Sequence, residues 1–506
     1  MPRQARPDLS RLIIVSNRVP DPSDESATAG GLAVALQAAL KKDGGMWFGW
    51  SGDSSGERES DTVKITEVGN VTYAIVDLTT RDLDEYYSGF ANRTLWPLFH
   101  YRLDLTDFSR RDMDGYFRVN RFFARMLAPL VEPDDIIWVH DYHLIPLAAE
   151  LRQMGLKNRM GFFLHIPWPP PDVLFALPPH ETIVRGLSSY DLVGFQTDFD
   201  AENFAACLVR EGLGNRVGSQ VFDAYGRLFA LAAFPIGTEA DKFAEMAADY
   251  RHNLLVGRML RSIEGHRLII GVDRLDYSKG LSERIEAYAR YLENNPTSRG
   301  NVVFLQVTPK SRSAVPEYVE MQREIAELAG RVNGALGDLD WTPIRYINRT
   351  IKQQALAGLY RIAAVGLVTP LRDGMNLVAK EYVASQDPED PGVLVLSRFA
   401  GAARELEGAL LVNPYDIEDV AQSIAIAMDM SLEERKERWQ PMFERVSTND
   451  VSAWCDSFLT TLKKTRVMAA AEVDAAAGAT EQENTLTREL RQDAKRVLEE
   501  AGASGS

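Results

Sequence analysis

Apolar residues along this chain come in short unbroken runs, not in alternation. Leu12–Ser16, Ile136–His140, Gly161–Ile166, Leu192–Gln196, Leu268–Val272, Val302–Val307, Ile344–Ile347, Val365–Thr369 and Gly392–Ser397 are rich in β-branched and aromatic residues. A strand with no polar face is buried on both sides, as in a parallel sheet covered by helices. Between the runs lie amphipathic stretches such as Leu281–Glu293 and Ser313–Glu327, suited to crossover helices. The pattern predicts an α/β protein. So many strands exceed one comfortable domain. A break at Phe234-Pro235-Ile236-Gly237 predicts two doubly wound halves, 11–237 and 238–450, after a flexible 1–10. Residues 451–466 read as a C-terminal helix able to pack back on the first half. Residues 467–506 are Ala-rich, acidic and poor in large apolar groups, which predicts disorder, with at most a marginal helix over 486–501.

Composition narrows the partners. The net charge of −16 argues against nucleic acid and anionic membranes, because phosphate surfaces need a basic face. A small anionic ligand stays open, since a basic pocket fits inside an acidic protein. Cys207 and Cys455 form no disulfide framework or zinc pattern, and a reduced, cytoplasmic chain is expected. MPRQARPDLSR lacks the apolar core of a signal peptide, and no apolar run reaches membrane-spanning length.

In open α/β sheets ligands sit beyond the carboxyl ends of the strands, so the polar residues there carry the chemistry. After Leu12–Ser16 come Asn17-Arg18, then Gly30-Gly31 opening a helix. Two glycines there permit close backbone approach by a ligand. His140-Asp141-Tyr142-His143 and His165 follow the next strands. Their spacing is not a standard zinc pattern. Asp273-Arg274-Leu275-Asp276-Tyr277-Ser278-Lys279-Gly280 and Lys310-Ser311-Arg312 are cationic turns able to hold an anion. Thr369–Ala384, TPLRDGMNLVAKEYVA, turns from core strand to helix through Asp373, Gly374, Met375 and Asn376. Leu377, Val378, Tyr382 and Val383 fall on or near one face of that helix. Free N–H groups at its start favour an anion. Asp373 and Glu381 are better suited to accepting from sugar or ribose hydroxyls. Lys380, turned by about 100° from Glu381, is expected in a structural ion pair. Asp82-Leu83-Asp84 and Asp338-Leu339-Asp340 have the D-x-D shape of some metal-dependent transferases, but such pairs are frequent among 72 acidic residues. No P-loop and no G-x-S-x-G elbow is present.

Longer segments carry a resemblance. VSNRVP, AGGLAVAL, WFGWSG, LDEYYSGFANRTLWPLFHYR, IIWVHDYHLIPLA, GFFLHIPWPPPDV, DRLDYSKGL, GLVTPLRDGMNLVAKEYVASQ and NPYD occur in this order. From about Arg11 to about Leu462 the chain resembles the trehalose-6-phosphate synthase family of retaining glucosyltransferases. The resemblance implies GT-B architecture, two Rossmann-like domains facing across a cleft. It implies transfer of glucose from UDP-glucose to glucose 6-phosphate, giving α,α-trehalose 6-phosphate and UDP without a metal or other cofactor. Family members often form dimers or tetramers. Arg18 and Arg312 match residues that hold the acceptor's phosphate, and Tyr87, Trp96 and Asp141 match other acceptor-site positions. Gly30 and Gly31 match the loop approaching the donor, and His165 the histidine on the transferred glucose. Arg274 and Lys279 match the pair on the diphosphate. Asp373, Gly374, Met375, Asn376, Leu377 and Val378 match the turn around donor glucose and diphosphate, and Glu381 the carboxylate on the ribose. The resemblance also implies same-face attack, with the leaving phosphate taking the acceptor's proton. Asp141, His165, Arg274, Lys279 and Asp373 are the expected catalytic set. The rivals are a glycosyltransferase using ADP- or GDP-glucose or an acceptor such as glycerol phosphate, and a silent sugar-phosphate sensor.

Overall fold

The computed structural model describes residues 10–20, 36–37, 39–40, 44–57, 61–309 and 316–465. Gly30, Gly31, Arg312 and the segment 467–506 lie outside them.

The described residues build two sheets. The first takes β1 Leu12–Arg18, β2 Gly45–Ser54, β3 Lys64–Val68, β4 Val71–Leu78, β5 Ile136–His140, β6 Arg159–Phe163, β7 Leu192–Phe195, β8 Gly214–Arg216, β9 Val221–Ala224 and β10 Arg227–Ala233. Its order is β3-β4-β2-β1-β5-β6-β7-β10-β9-β8. The interior pairs are parallel, and only the margins, β3 on β4 and β8-β9-β10, are antiparallel. The second sheet takes β11 Arg267–Val272, β12 Val302–Val307, β13 Ile344–Ile347, β14 Val365–Val368, β15 Val393–Ser397 and β16 Leu410–Val412, in the order β13-β12-β11-β14-β15-β16. Every pair in it is parallel.

The unbroken apolar runs are explained by burial: every residue of β5, β7, β12, β14 and β15 is buried. Strand β6 stops at Phe163, three residues before the end of its apolar run. The Leu164 N–H still bonds the Gly194 carbonyl, but the His165 N–H turns to the Asp141 carboxylate at 3.3 Å and leaves the ladder. Much of the margin escaped the apolar-run reading because it is polar or exposed, although β10, RLFALAA, is largely apolar and was missed all the same. Strand β3, for example, is exposed at every residue.

Both sheets reverse their winding at one place. In the first the chain passes outward from β1 through β2 to β4 and returns on the other side at β5; in the second it passes outward from β11 and returns at β14. Such switch points open a crevice beyond the strand ends. The loops after β1, β5, β11 and β14 therefore face ligand space.

Residues 451–465 are helical and lie against the first sheet. The Phe458 ring stacks on Trp138 at 4.6 Å and meets Phe234 at 5.1 Å, and Trp454 packs on Trp138 at 5.0 Å. Cys207 and Cys455 are both buried free thiols. No helix among the described residues is long and apolar enough to cross a membrane.

Candidate active site

The loop after β11 is held by its own carboxylates. Asp276, wholly buried, accepts from the Ser278 N–H at 3.0 Å, the Ser278 hydroxyl at 2.8 Å and the Tyr318 hydroxyl at 3.2 Å. Asp273 pairs with buried Arg284 at 2.7 Å, and Arg284 also donates to the Thr369 hydroxyl and the Lys279 carbonyl. These contacts fix the loop that presents exposed Arg274 and buried Lys279. Lys279 Nζ reaches the Asp373 carboxylate, 2.5 Å away in the turn after β14. Burial pushes the Asp373 carboxyl up, but the ammonium outweighs it and holds the group below the usual range. The Asp373 carboxylate and the Lys279 side chain thus hold each other at the mouth of the two loops.

The turn after β14 is as tightly specified. Asn376 sits at φ 79°, donates to Asp373 at 3.0 Å and caps the helix Leu377–Ser385 by accepting from the Ala379 N–H. Leu377 and Val378 begin that helix, so their N–H groups have no partner within it. Gly374 admits no side chain, because a Cβ would stand 2.3 Å from the His165 carbonyl. The two halves touch at this point. They touch again where Trp96 Nε1 donates to Asp276 at 3.4 Å and where the Arg372 guanidinium lies 3.7 Å over the Tyr101 ring.

A cavity of about 290 Å³ opens between them. His165, Arg274, Lys279, Asp373, Met375, Asn376, Leu377 and Val378, all expected at the donor site, line it. Leu377 and Val378 are half-buried: they line this cavity and also pack against the core that Tyr382 and Val383 enter. Gln196, Ile236 and Asp273 also line it and were not assigned from sequence. Gln196 accepts from the Ile236 N–H at 3.0 Å, which seats the connection between the halves at the cavity wall. Glu381, one turn further, is not part of this lining; burial pushes its carboxyl up to about 7. Lys380 points the other way. It is 1% exposed and forms an ion pair with Glu405 at 2.5 Å and a hydrogen bond to the Ile236 carbonyl at 2.7 Å, the expected structural role.

The residues expected at the acceptor, Arg18, Tyr87, Trp96 and Asp141, are not part of this lining; they lie along a separate aromatic surface. Arg18, at the end of β1, lays its guanidinium against Gly52, where a Cβ would clash at 2.6 Å. From there rings run in contact: Trp50 to Tyr87 at 5.7 Å, Tyr87 to His143 at 5.8 Å, His143 to Tyr142 at 3.9 Å and Tyr142 to Trp96 at 5.7 Å. Trp96 then meets the Arg274 guanidinium at 5.8 Å. Asp141 precedes Tyr142 with φ 74° and ψ 164°, a backbone region that a residue with a side chain occupies only when its surroundings impose it. Of four described non-glycine residues with positive φ, two, Asp141 and Asn376, are expected site residues. That concentration marks the cleft as functional. Trp50 and His143 could have been found from their place beside strand ends, but nothing in their spacing pointed to Tyr87.

The other polar motifs have structural roles. Asp82 is buried against Arg118, while Asp338 and Asp340 are exposed on a turn. A separate hollow of about 630 Å³ behind Asp276 holds none of the expected residues.

The geometry matches known proteins. Residues 10–464 fit the glycosyltransferase family 20 model. The chain belongs to glycosyltransferase family 20. It is 64% identical over 456 residues to a trehalose-6-phosphate synthase of Sinorhizobium fredii, covering 90% of this chain and 98% of that protein. It superposes with a TM-score of 0.86 and 50% identity on a UDP-forming α,α-trehalose-phosphate synthase from Burkholderia xenovorans in complex with glucose-6-phosphate, covering 90% of this chain and all of that one. An E. coli trehalose-6-phosphate structure bound with UDP-2-fluoro glucose aligns with a TM-score of 0.85 at 47% identity, over 90% of this chain and 99% of that one. The two-sheet α/β architecture of this family 20 chain is the GT-B fold.

Proposed function

We propose that this family 20 enzyme transfers glucose from UDP-glucose to glucose 6-phosphate, giving α,α-trehalose 6-phosphate and UDP. The observation that carries the reading is the compensated cation at the donor turn. Lys279 is buried and held by Asp373, with Arg274 on the same loop and the first N–H groups of the helix Leu377–Ser385 close by. Such preorganised groups stabilise the charge that grows on a leaving diphosphate. In this reading Arg274 and Lys279 bind the diphosphate, Asp373 through Val378 cradle donor glucose and diphosphate, and Glu381 takes the ribose hydroxyls. Gly30 and Gly31 border the donor; Arg18 and Arg312 hold the acceptor phosphate; Tyr87, Trp96 and Asp141 position its sugar.

The anomeric hydroxyl of glucose 6-phosphate attacks C1 of the donor on the face the diphosphate leaves. As the C1–O bond to the diphosphate breaks, the acceptor's proton passes to a departing phosphate oxygen, and configuration is retained. Burial pushes His165 down to about 3, so at neutral pH it meets the sugar as an uncharged hydrogen-bonding ring, not as an acid. The cations and amides take the part a divalent metal would play, so no metal is required. The domains divide near residue 237, the protein works in the cytoplasm, and it forms a dimer or tetramer.

The test is product analysis. The purified protein should form UDP and a non-reducing disaccharide phosphate from UDP-glucose and glucose 6-phosphate, at the same rate with EDTA. No product with UDP-glucose, or product only from ADP- or GDP-glucose or with another acceptor, would overturn the assignment.

A further inference from the structure

Two histidines stand side by side at the strand ends behind the cavity, and only His165 lines it. His140, the last residue of β5, is 1% exposed. Its Nδ1 lies 3.1 Å from Nε2 of His165. The ring planes differ by 27° and the centroids are 5.4 Å apart, an edge-to-edge arrangement suited to an imidazole–imidazole hydrogen bond. Burial pushes both rings down, so both are uncharged at neutral pH. Two neutral imidazoles share one hydrogen in such a bond: one donates, the other accepts.

The surroundings decide which. Nε2 of His140 is buried without a hydrogen-bond partner among the described residues. The rings packed on His140 from the other side are Trp138, 4.5 Å away on the same strand, and Trp454, 6.2 Å away on the 451–465 helix. Their indole nitrogens are likewise buried without a partner among the described residues, and an indole nitrogen can only donate. A proton on Nε2 of His140 would add a third unsatisfied donor to one apolar pocket. A bare lone pair there is the better match, because it sets an acceptor, not another donor, in a pocket whose two indole groups can only donate. The proton of His140 therefore belongs on Nδ1, aimed at His165. His165 then accepts at Nε2 and carries its own proton on Nδ1, the nitrogen left for the cavity.

We propose that His140 is a positioning residue that holds His165 as an Nδ1–H donor toward a hydroxyl oxygen of the bound sugar. The inference rests on reading the cavity as a sugar-nucleotide site. It gives the C-terminal helix a part in the chemistry, since Trp454 closes the pocket in which His140 is confined.

The tautomer is read without any activity. With ring-15N-labelled histidine in the full chain, and signals assigned from His140→Asn and His165→Asn, His165 should show a protonated Nδ1 and a bare Nε2, unchanged over about pH 6 to 8. A protonated Nε2 overturns the proposal. The kinetic arm compares His140→Phe, which keeps the shape, with His140→Asn, whose amide N–H stands near the Nδ1 position. H140F should lose about tenfold in kcat or more, with the KM for glucose 6-phosphate unmoved, and H140N should recover most of that loss. A folded H140F with wild-type kcat overturns the role; if H140F does not fold, the wild-type spectrum decides alone. The expected tautomer in a protein that consumes no nucleotide sugar would sink the functional reading and leave the histidine pair standing.

Discussion

The two walls of the cleft solve the same problem with different materials. The wall we assign to the donor is built of buried charge: Lys279 on Asp373, Arg284 on Asp273 and Lys380 on Glu405. The wall we assign to the acceptor is a relay of rings from Trp50 to Trp96, with Arg18 exposed at its end. A ligand that gains charge during reaction needs cations that cost no reorganisation, and buried pairing holds them in place beforehand. A ligand whose phosphate stays remote from the reacting bond needs shape and hydrated cations. The contrast teaches that the electrostatic cost of this site sits where charge changes.

The comparison breaks most visibly in the frame of the donor wall. Lys380→Met should leave Glu405 buried with only exposed Arg445, 3.5 Å away, as its cation, and the Ile236 carbonyl without its donor. Loss of one member of a buried pair costs about 3 kcal/mol or more, so the denaturation midpoint should fall sharply. An unchanged midpoint would mean that the frame does not depend on buried charge. Next comes Arg274→Ala. Arg274 is exposed, so stability should hold while kcat/KM for UDP-glucose falls by about 100-fold. Wild-type steady-state kinetics would remove Arg274 from the diphosphate.

How much of this was legible follows from where each signal lives. The loops after β11 and β14 were readable because apolar runs end abruptly in Arg, Lys, Asp and Gly. A helix advances by a fixed angle per residue, so Lys380 could be set apart from Glu381 without knowing its partner. The aromatic relay was not readable as a unit. Tyr87, in the helical segment after β4, and His143, after β5, are 56 positions apart and meet only in the folded chain, since β4 and β5 are not neighbours in the sheet. His140 was hidden for a similar reason: its role depends on Trp454, brought back from the far end of the chain. Strands β2 and β4 were missed because glycine and polar residues interrupt them.

Smaller effects sharpen the contrast. Arg18→Ala should raise the KM for glucose 6-phosphate about tenfold with kcat nearly intact, because a hydrated phosphate contact is made equally in ground and transition states. A fall in kcat with an unmoved KM would bring Arg18 into the chemistry. The smallest effect is on pH. Burial raises the Glu381 carboxyl in the folded protein to about 7, above its ordinary 4.5, so the folded state holds this proton the more tightly. The stability this contributes is present at low pH and is lost as pH rises from 4.5 through about 7. Ionisation in turn creates the better acceptor for ribose hydroxyls. UDP affinity should therefore strengthen a few-fold as pH rises through about 7, and Glu381→Gln should flatten the profile. A wild-type profile already flat there would place Glu381 away from the ribose.

The division of labour between the walls is tested most directly by crosswise calorimetry. UDP and glucose 6-phosphate are titrated separately into the Arg274→Ala and Arg18→Ala proteins. The account predicts that R274A loses UDP affinity and keeps that for glucose 6-phosphate, and that R18A does the reverse. Loss of both ligands in either variant, or the opposite assignment, would contradict it.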